Sequence, residues 1–211
     1  MYFAGIYIHE KPNQCTAVIV EKILRNARKE YGIQDIRLLP SPEKTADLIS
    51  EIRDLYQDPC FLRKKKVFSQ DRRPSKNTFT PPLLVMAEMH HHPSVIQGLR
   101  DAHIPVDGFY FQNDDGWQRE DLKILRFGCN LHVNRADMGK LEKILVSDSA
   151  LTMDKTLDHA ASLEEEKARC LAFKKTSGIW PDVFQEEGFR FLPALFLSLW
   201  HCESIKQIKR Y

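Results

Sequence analysis

Residues 2–9, YFAGIYIH, and 16–24, TAVIVEKIL, are two short runs rich in β-branched and aromatic side chains. Each reads as a strand, and the Lys11-Pro12-Asn13 cluster between them reads as a turn. A third run, Ile33 to Leu39, follows a polar connection over Arg25 to Gly32. Three consecutive strands with short links predict an antiparallel meander.

The pattern changes after Leu39. Pro40-Ser41-Pro42 ends the third strand, with Ser41 suited to cap a helix and Pro42 to its first position. Leu48, Ile52 and Leu55 then recur at helical spacing, beside Ile49 and Tyr56, until Asp58-Pro59 stops the helix. Leu83 to Ala87 is a continuous apolar run, as in a strand covered on both faces. Pro93-Ser94 opens a helix with Val95, Ile96, Leu99 and Ala102 inward, and Val106 to Phe111 follows as a strand. A strand–helix–strand unit of this kind is parallel and right-handed. The expected sheet is therefore mixed, of about five strands, antiparallel over the first three and parallel thereafter. The strand at Leu83 should lie parallel to the first. Leu122 to Val133 is strand-like, and helices are expected over Asp137–Val146, Leu157–Lys175 and Phe189–Lys209. Residues 134–211 thus read as a mainly helical part of one domain spanning 1–211.

Composition sets the class. A hydrophobic share of 43% suffices for a core, and 28% charged residues is ordinary for a soluble chain. No apolar run approaches the roughly 20 residues that cross a bilayer, and MYFAGIYIHE lacks a basic leader and a cleavage site. Five cysteines, an odd number with no C-x-x-C pair, argue against a disulfide framework or a cysteine zinc site. A cytoplasmic protein with reduced thiols and no membrane partner is the expectation.

Two local patterns carry a family resemblance. Leu83 to Ala87, His90 to Ser94, the helix over Val95 to Arg100 and then Ile104-Pro105-Val106 resemble the nuclease domain of phage terminase large subunits. Gly5 to Ile8 followed by Thr16 to Val20 looks like that family's first hairpin. Val133 to Leu145 is similar to the helix after its fifth strand, and Leu192 to Trp200 to its last helix. The likeness covers most of the chain as a pattern of elements. No G-x-x-x-x-G-K-[ST] occurs, so the terminase ATPase half has no counterpart. The resemblance implies a ribonuclease H-like fold and a nuclease that uses two divalent metals. Hard Mg²⁺ or Mn²⁺ would then be held by carboxylates at the ends of adjacent strands and on the last helix. Those places fall at Tyr7, at Ala87 and near Phe189 and Arg190, and none is acidic. Glu88 adjoins Ala87, but a one-residue slip points a strand residue at the opposite face unless a bulge intervenes. The resemblance therefore implies a catalytically degenerate domain of prophage origin, without a cofactor, that binds nucleic acid or protein.

Other constellations leave alternatives open. Glu88, His90 and His92 share one side of an extended chain and, with His9 or Glu10, could form a rearranged metal site. Glu10 and Glu88 would then be catalytic, with Mg²⁺ or Mn²⁺ bound. The same residues also read as a polar strand-to-helix loop. Within 61–82, a long loop, Arg63, Lys64, Lys65, Lys66, Arg72, Arg73 and Lys76 stand against one acid, Asp71. Interleaved Phe61, Phe68 and Phe79 suit phosphate contact with base stacking. A solvated connection explains the stretch equally well. Glu164-Glu165-Glu166 reads as an exposed helix face, and Asp114-Asp115 as a turn. Phe191, Leu195, Phe196, Leu199 and Trp200 make the last helix apolar on several sides, either as core or as the self-association contact of a scaffold subunit.

Overall fold

Strand β1 (Tyr2–His9) pairs antiparallel with β2 (Gln14–Arg25), which pairs antiparallel with β3 (Arg28–Leu39). Helix α1 (Thr45–Gln57) carries the chain across to β4 (Leu84–Glu88), which lies parallel to β1 with Ile6 level with Ala87. Helix α2 (Pro93–Asp101) leads to β5 (Gly108–Tyr110), parallel to β4, and β6 (Asn130–Leu131) lies parallel beyond it. Helix α3 (Arg135–Val146), β7 (Leu151–Met153), α4 (Ala160–Ser177) and α5 (Leu192–Ser204) complete the chain. The strand order is β6-β5-β4-β1-β2-β3-β7. The computed structural model describes residues 2–9, 14–25, 28–41, 44–57, 84–88, 93–103, 106, 108–110, 130–131, 135–147, 150–184 and 186–204.

Alternation along β1 and β2 divides the core into two layers. Ala4, Ile6, Ile8, Ala17 and Ile19 face Leu48, Ile49 and Ile52 of α1 and Val95 and Leu99 of α2. Phe3, Tyr7, Val18 and Val20 face Leu141 and Leu145 of α3, Leu163 of α4, and α5. A bulge at Ile19/Val20 adds one residue to β3, so Ile33 and Ile36, an odd number apart, reach the same layer. Helix α5 is buried from Leu192 through Cys202, which is the signature of a central core helix. Its seat on β1 is close because Gly5 has no side chain, and Ser198 donates its hydroxyl to the Phe3 carbonyl at 2.9 Å. Full burial of a side chain such as Phe3 or Phe196 is worth about 1.5–3 kcal/mol over exposure. Cys15, Cys170 and Cys202 are free and buried. Burial pushes the Cys15 and Cys170 thiols up to about 12, so they pack as small apolar groups. Among the described residues no helix is long and apolar enough to cross a membrane.

The mixed α/β arrangement, antiparallel and then parallel, follows the expectation. The strand count does not: seven strands pair, with β6 falling inside the strand-like run Leu122 to Val133 and the three-residue β7 added at the other edge. A run as short as β7 carries no periodicity to read. For the same reason a strand, β7, interrupts the helical part after residue 134. The polar connection over Arg25 to Gly32 is also corrected, since β3 already begins at Arg28. Its polar residues have an internal partner. Glu203 of α5 accepts hydrogen bonds from Lys22 at 2.9 Å and from Lys29 and Tyr31 at 2.5 Å each. Burial opposes ionisation of Glu203, but the bonds from Lys29, Tyr31 and Lys22 outweigh it and hold its pKa at about 2. This clamp ties the end of α5 to the β2–β3 hairpin.

Candidate functional site

In open α/β sheets, ligands favour the crevice beyond the carboxyl ends of the strands. Because β1 and β4 are parallel, their carboxyl ends lie side by side. Tyr7 and His9 stand at that end of β1, with Thr16 opposite Tyr7 on β2. All three face the layer of α4 and α5, by the alternation that sends Ile6 and Ile8 to the other layer.

Tyr7 and His9 are committed to the chain between α4 and α5. The Tyr7 hydroxyl donates to the Phe184 carbonyl at 2.5 Å. His9 Nε2 bonds to the Arg190 carbonyl at 2.8 Å, which requires the proton on that nitrogen. The Thr16 hydroxyl donates to the same carbonyl at 2.8 Å. The His9 and Tyr7 rings meet edge to face, with centroids 4.7 Å apart. The segment so held is anchored from outside as well. Trp180 donates its indole N–H to Glu142 of α3 at 3.0 Å. Arg169 of α4 lies over the Phe189 ring and donates to the Gly188 carbonyl. The segment's own Val183, Phe189 and Phe191 are buried in the core.

Glu166 completes the anchorage. Its carboxylate accepts the backbone N–H groups of Arg190, Phe191 and Leu192 at 2.8, 2.9 and 2.9 Å. These are donors at the start of α5, which a helix cannot satisfy by itself, and a carboxylate also complements the dipole there. The expectation of an exposed face over Glu164 to Glu166 is therefore corrected at Glu166, which is 6% exposed. The signal was in the sequence: Ala160, Leu163, Glu166 and Cys170 recur at helical spacing, and those are the buried residues of α4.

A two-metal site does not fit these side chains. Hard cations need oxygen anions, and the β1 position offers a phenol and an imidazole whose Nε2 is already engaged. Ala87 is level with Ile6, a residue of the α1–α2 layer, so it does not share a pairing row with Tyr7. The same offset carried one residue further sets Glu88, not Ala87, level with Tyr7, with Tyr110 on its other side. Register thus makes Glu88 the β4 position corresponding to Tyr7. Near α5, Arg190 contributes its carbonyl, and Phe189 is buried core. Among the described residues, no group of three or more His, Cys, Asp or Glu gathers that could hold a metal ion. No family model, curated protein or solved structure matches this chain. Of the residues singled out by sequence, Glu88 closes β4. Glu10, His90, His92 and the basic set Arg63, Lys64, Lys65, Lys66, Arg72, Arg73 and Lys76 lie outside the described residues. Tyr7 as a hydrogen-bond donor and Thr16 as an anchor were not legible as site residues, and Glu166 showed only its inward helical position.

Two buried histidines, His9 at the carboxyl end of β1 and His201 packed against Phe3 near its start, give the fold a pH dependence. Burial holds His9 at about 4, with the Arg190 charge acting in the same direction and the bond to the Arg190 carbonyl opposing. Burial alone holds His201 of α5 at about 3. Neither ring nitrogen of His201 has a partner among the described residues, and its ring meets Phe3 edge-on at 5.5 Å. Both values lie below the ordinary 6.5, so the unfolded chain takes up protons first as pH falls. Each histidine then removes up to about 1.4 kcal/mol of stability per pH unit below 6.5, levelling off only beneath its folded value. Urea unfolding at pH 7, 6 and 5 should show this decline, and His201→Leu should flatten it by about one histidine's share. Parallel pH profiles for parent and variant would contradict the neutral, unpaired state of His201.

Proposed function

We propose that this chain is a ribonuclease H-like domain, similar in plan to the terminase nuclease domain and of prophage origin, that binds nucleic acid or protein in the cytoplasm and no longer cuts. The strand order β3-β2-β1-β4-β5, antiparallel and then parallel with helices on both faces, supports the fold reading. One observation carries the functional reading. Where a metal-binding acid would stand on β1, Tyr7 is bonded to the Phe184 carbonyl, and beside it His9 and Thr16 close on the Arg190 carbonyl. The crevice end is thus filled by the protein's own chain. Buried α5 leaves the scaffold reading without an exposed apolar face on that helix among the described residues.

Nucleic-acid binding is then expected away from the crevice. In a ribonuclease H-like sheet the link from the first helix to the fourth strand, where the basic stretch falls in sequence, lies at the end opposite the metal site. Phosphate contacts release counterions, so duplex affinity should fall with salt at a log–log slope of roughly −0.9 per phosphate neutralised. Changing Lys64, Lys65 and Lys66 to Ala should weaken binding across sequences and flatten the slope, at a stability cost under about 1 kcal/mol. Fluorescence anisotropy with duplexes of unrelated sequence measures this. Equal affinity of the triple variant and the parent at low salt would remove the nucleic-acid reading. A second reading, a metal-dependent nuclease built on Glu10, Glu88, His90 and His92, is favoured by the register that sets Glu88 level with Tyr7. Cleavage that Glu88→Ala abolishes would establish it.

A further inference from the structure

We infer that the segment between Gly178 and Phe191 is an autoinhibitory cover, which keeps nucleic acid out of the crevice at the carboxyl ends of β1 and β4; this rests on the ribonuclease H-like reading. Its position is the first support. The Tyr7 hydroxyl, His9 Nε2 and the Thr16 hydroxyl all bond to the segment's backbone carbonyls. A ligand on β1 must therefore displace Phe184 and Arg190 first.

Charge is the second support. Asp182, Glu186 and Glu187 are exposed on the segment, and Arg190 is its one cation. A phosphate backbone approaching the crevice meets net negative charge, which opposes association. The manner of attachment is the third. The carbonyls of Phe184 and Arg190 are held by side chains of the sheet, whereas the N–H groups of Arg190, Phe191 and Leu192 are held by Glu166 of α4. The two sets run to different elements, so removing sheet-side bonds weakens the segment's hold on the crevice while the cap on the start of α5, the Trp180–Glu142 bond and the buried Val183, Phe189 and Phe191 stay in place.

Tyr7→Phe with Thr16→Val removes two of the three sheet-side donors and keeps their shapes. Placed in the Lys64→Ala, Lys65→Ala, Lys66→Ala background, the pair separates crevice binding from loop binding. The loss of two hydrogen bonds should accelerate amide exchange over residues 178–191 by about tenfold. A labelled duplex at low salt should then bind about tenfold tighter than to the background, and should protect amides of residues 2–9. If the double change does not fold, Tyr7→Phe alone is read in the same way, with a smaller shift. Faster exchange without tighter binding, or binding without protection of residues 2–9, overturns the cover and leaves the fold reading intact. Unchanged exchange overturns it too, because the bonds then do not hold the segment. Failure of the parent reading appears elsewhere, as metal-dependent cutting by the unmodified chain.

Discussion

Gly5→Ala should abolish stable folding or cost more than about 4 kcal/mol. A β-carbon at Gly5 would lie 2.1 Å from the Ala194 carbonyl oxygen and 2.4 Å from the Ser198 amide nitrogen. Both are backbone atoms of α5, so no rotamer change relieves the overlap. The helix must instead lift off β1, and α5 is buried from Leu192 to Cys202. Lifting it opens space along the whole layer, which a close-packed interior does not tolerate. Gly139 on α3 is the internal control. It is exposed, with nothing within 4 Å of a built β-carbon, and Gly139→Ala should be neutral or stabilise by up to about 1 kcal/mol. Urea unfolding followed by circular dichroism compares the two. A Gly5→Ala protein as stable as the parent would mean that α5 does not rest on β1 at this distance.

Glu166→Ala should destabilise by about 3–5 kcal/mol, because it orphans three backbone donors at once. The N–H groups of Phe191 and Leu192 bond to Glu166 in buried positions, where water does not substitute readily. Glu166→Gln keeps one acceptor oxygen but turns an NH₂ toward the remaining donors, so its cost should fall between those of Ala and the parent. Hydrogen exchange localises the effect, with faster exchange expected over residues 189–195 in the Ala variant. A loss of only about 1 kcal/mol would show that the start of α5 finds other partners.

These two residues mark what the sequence made legible. The β1–β2 hairpin and the parallel β4 followed from β-branched runs, turn residues and crossover rules, since local periodicity encodes which face each residue takes. Register did not follow, because it depends on pairing with a distant strand. The expected fourth-strand acid falls at Ala87, with Glu88 one residue away, but nothing in the sequence tells that Ala87 lies level with Ile6. The roles of Gly5 and Glu166 also depend on contacts with α5 from far along the chain. Glu166 gave a partial sign, an acid at an inward helical position. The segment between α4 and α5 gave none, because its hold on the crevice runs through backbone carbonyls, which carry no residue identity.

The most direct test is a cleavage assay on the unmodified chain. Purified protein is incubated with single- and double-stranded DNA in Mg²⁺ and, separately, Mn²⁺, alongside Glu88→Ala. With Tyr7, His9 and Thr16 bonded to the chain's own carbonyls, cleavage should stay at the level of the no-protein control in both metals. Robust cutting by the parent that disappears in Glu88→Ala would contradict the proposed loss of catalysis and assign the chain to the metal-dependent nucleases.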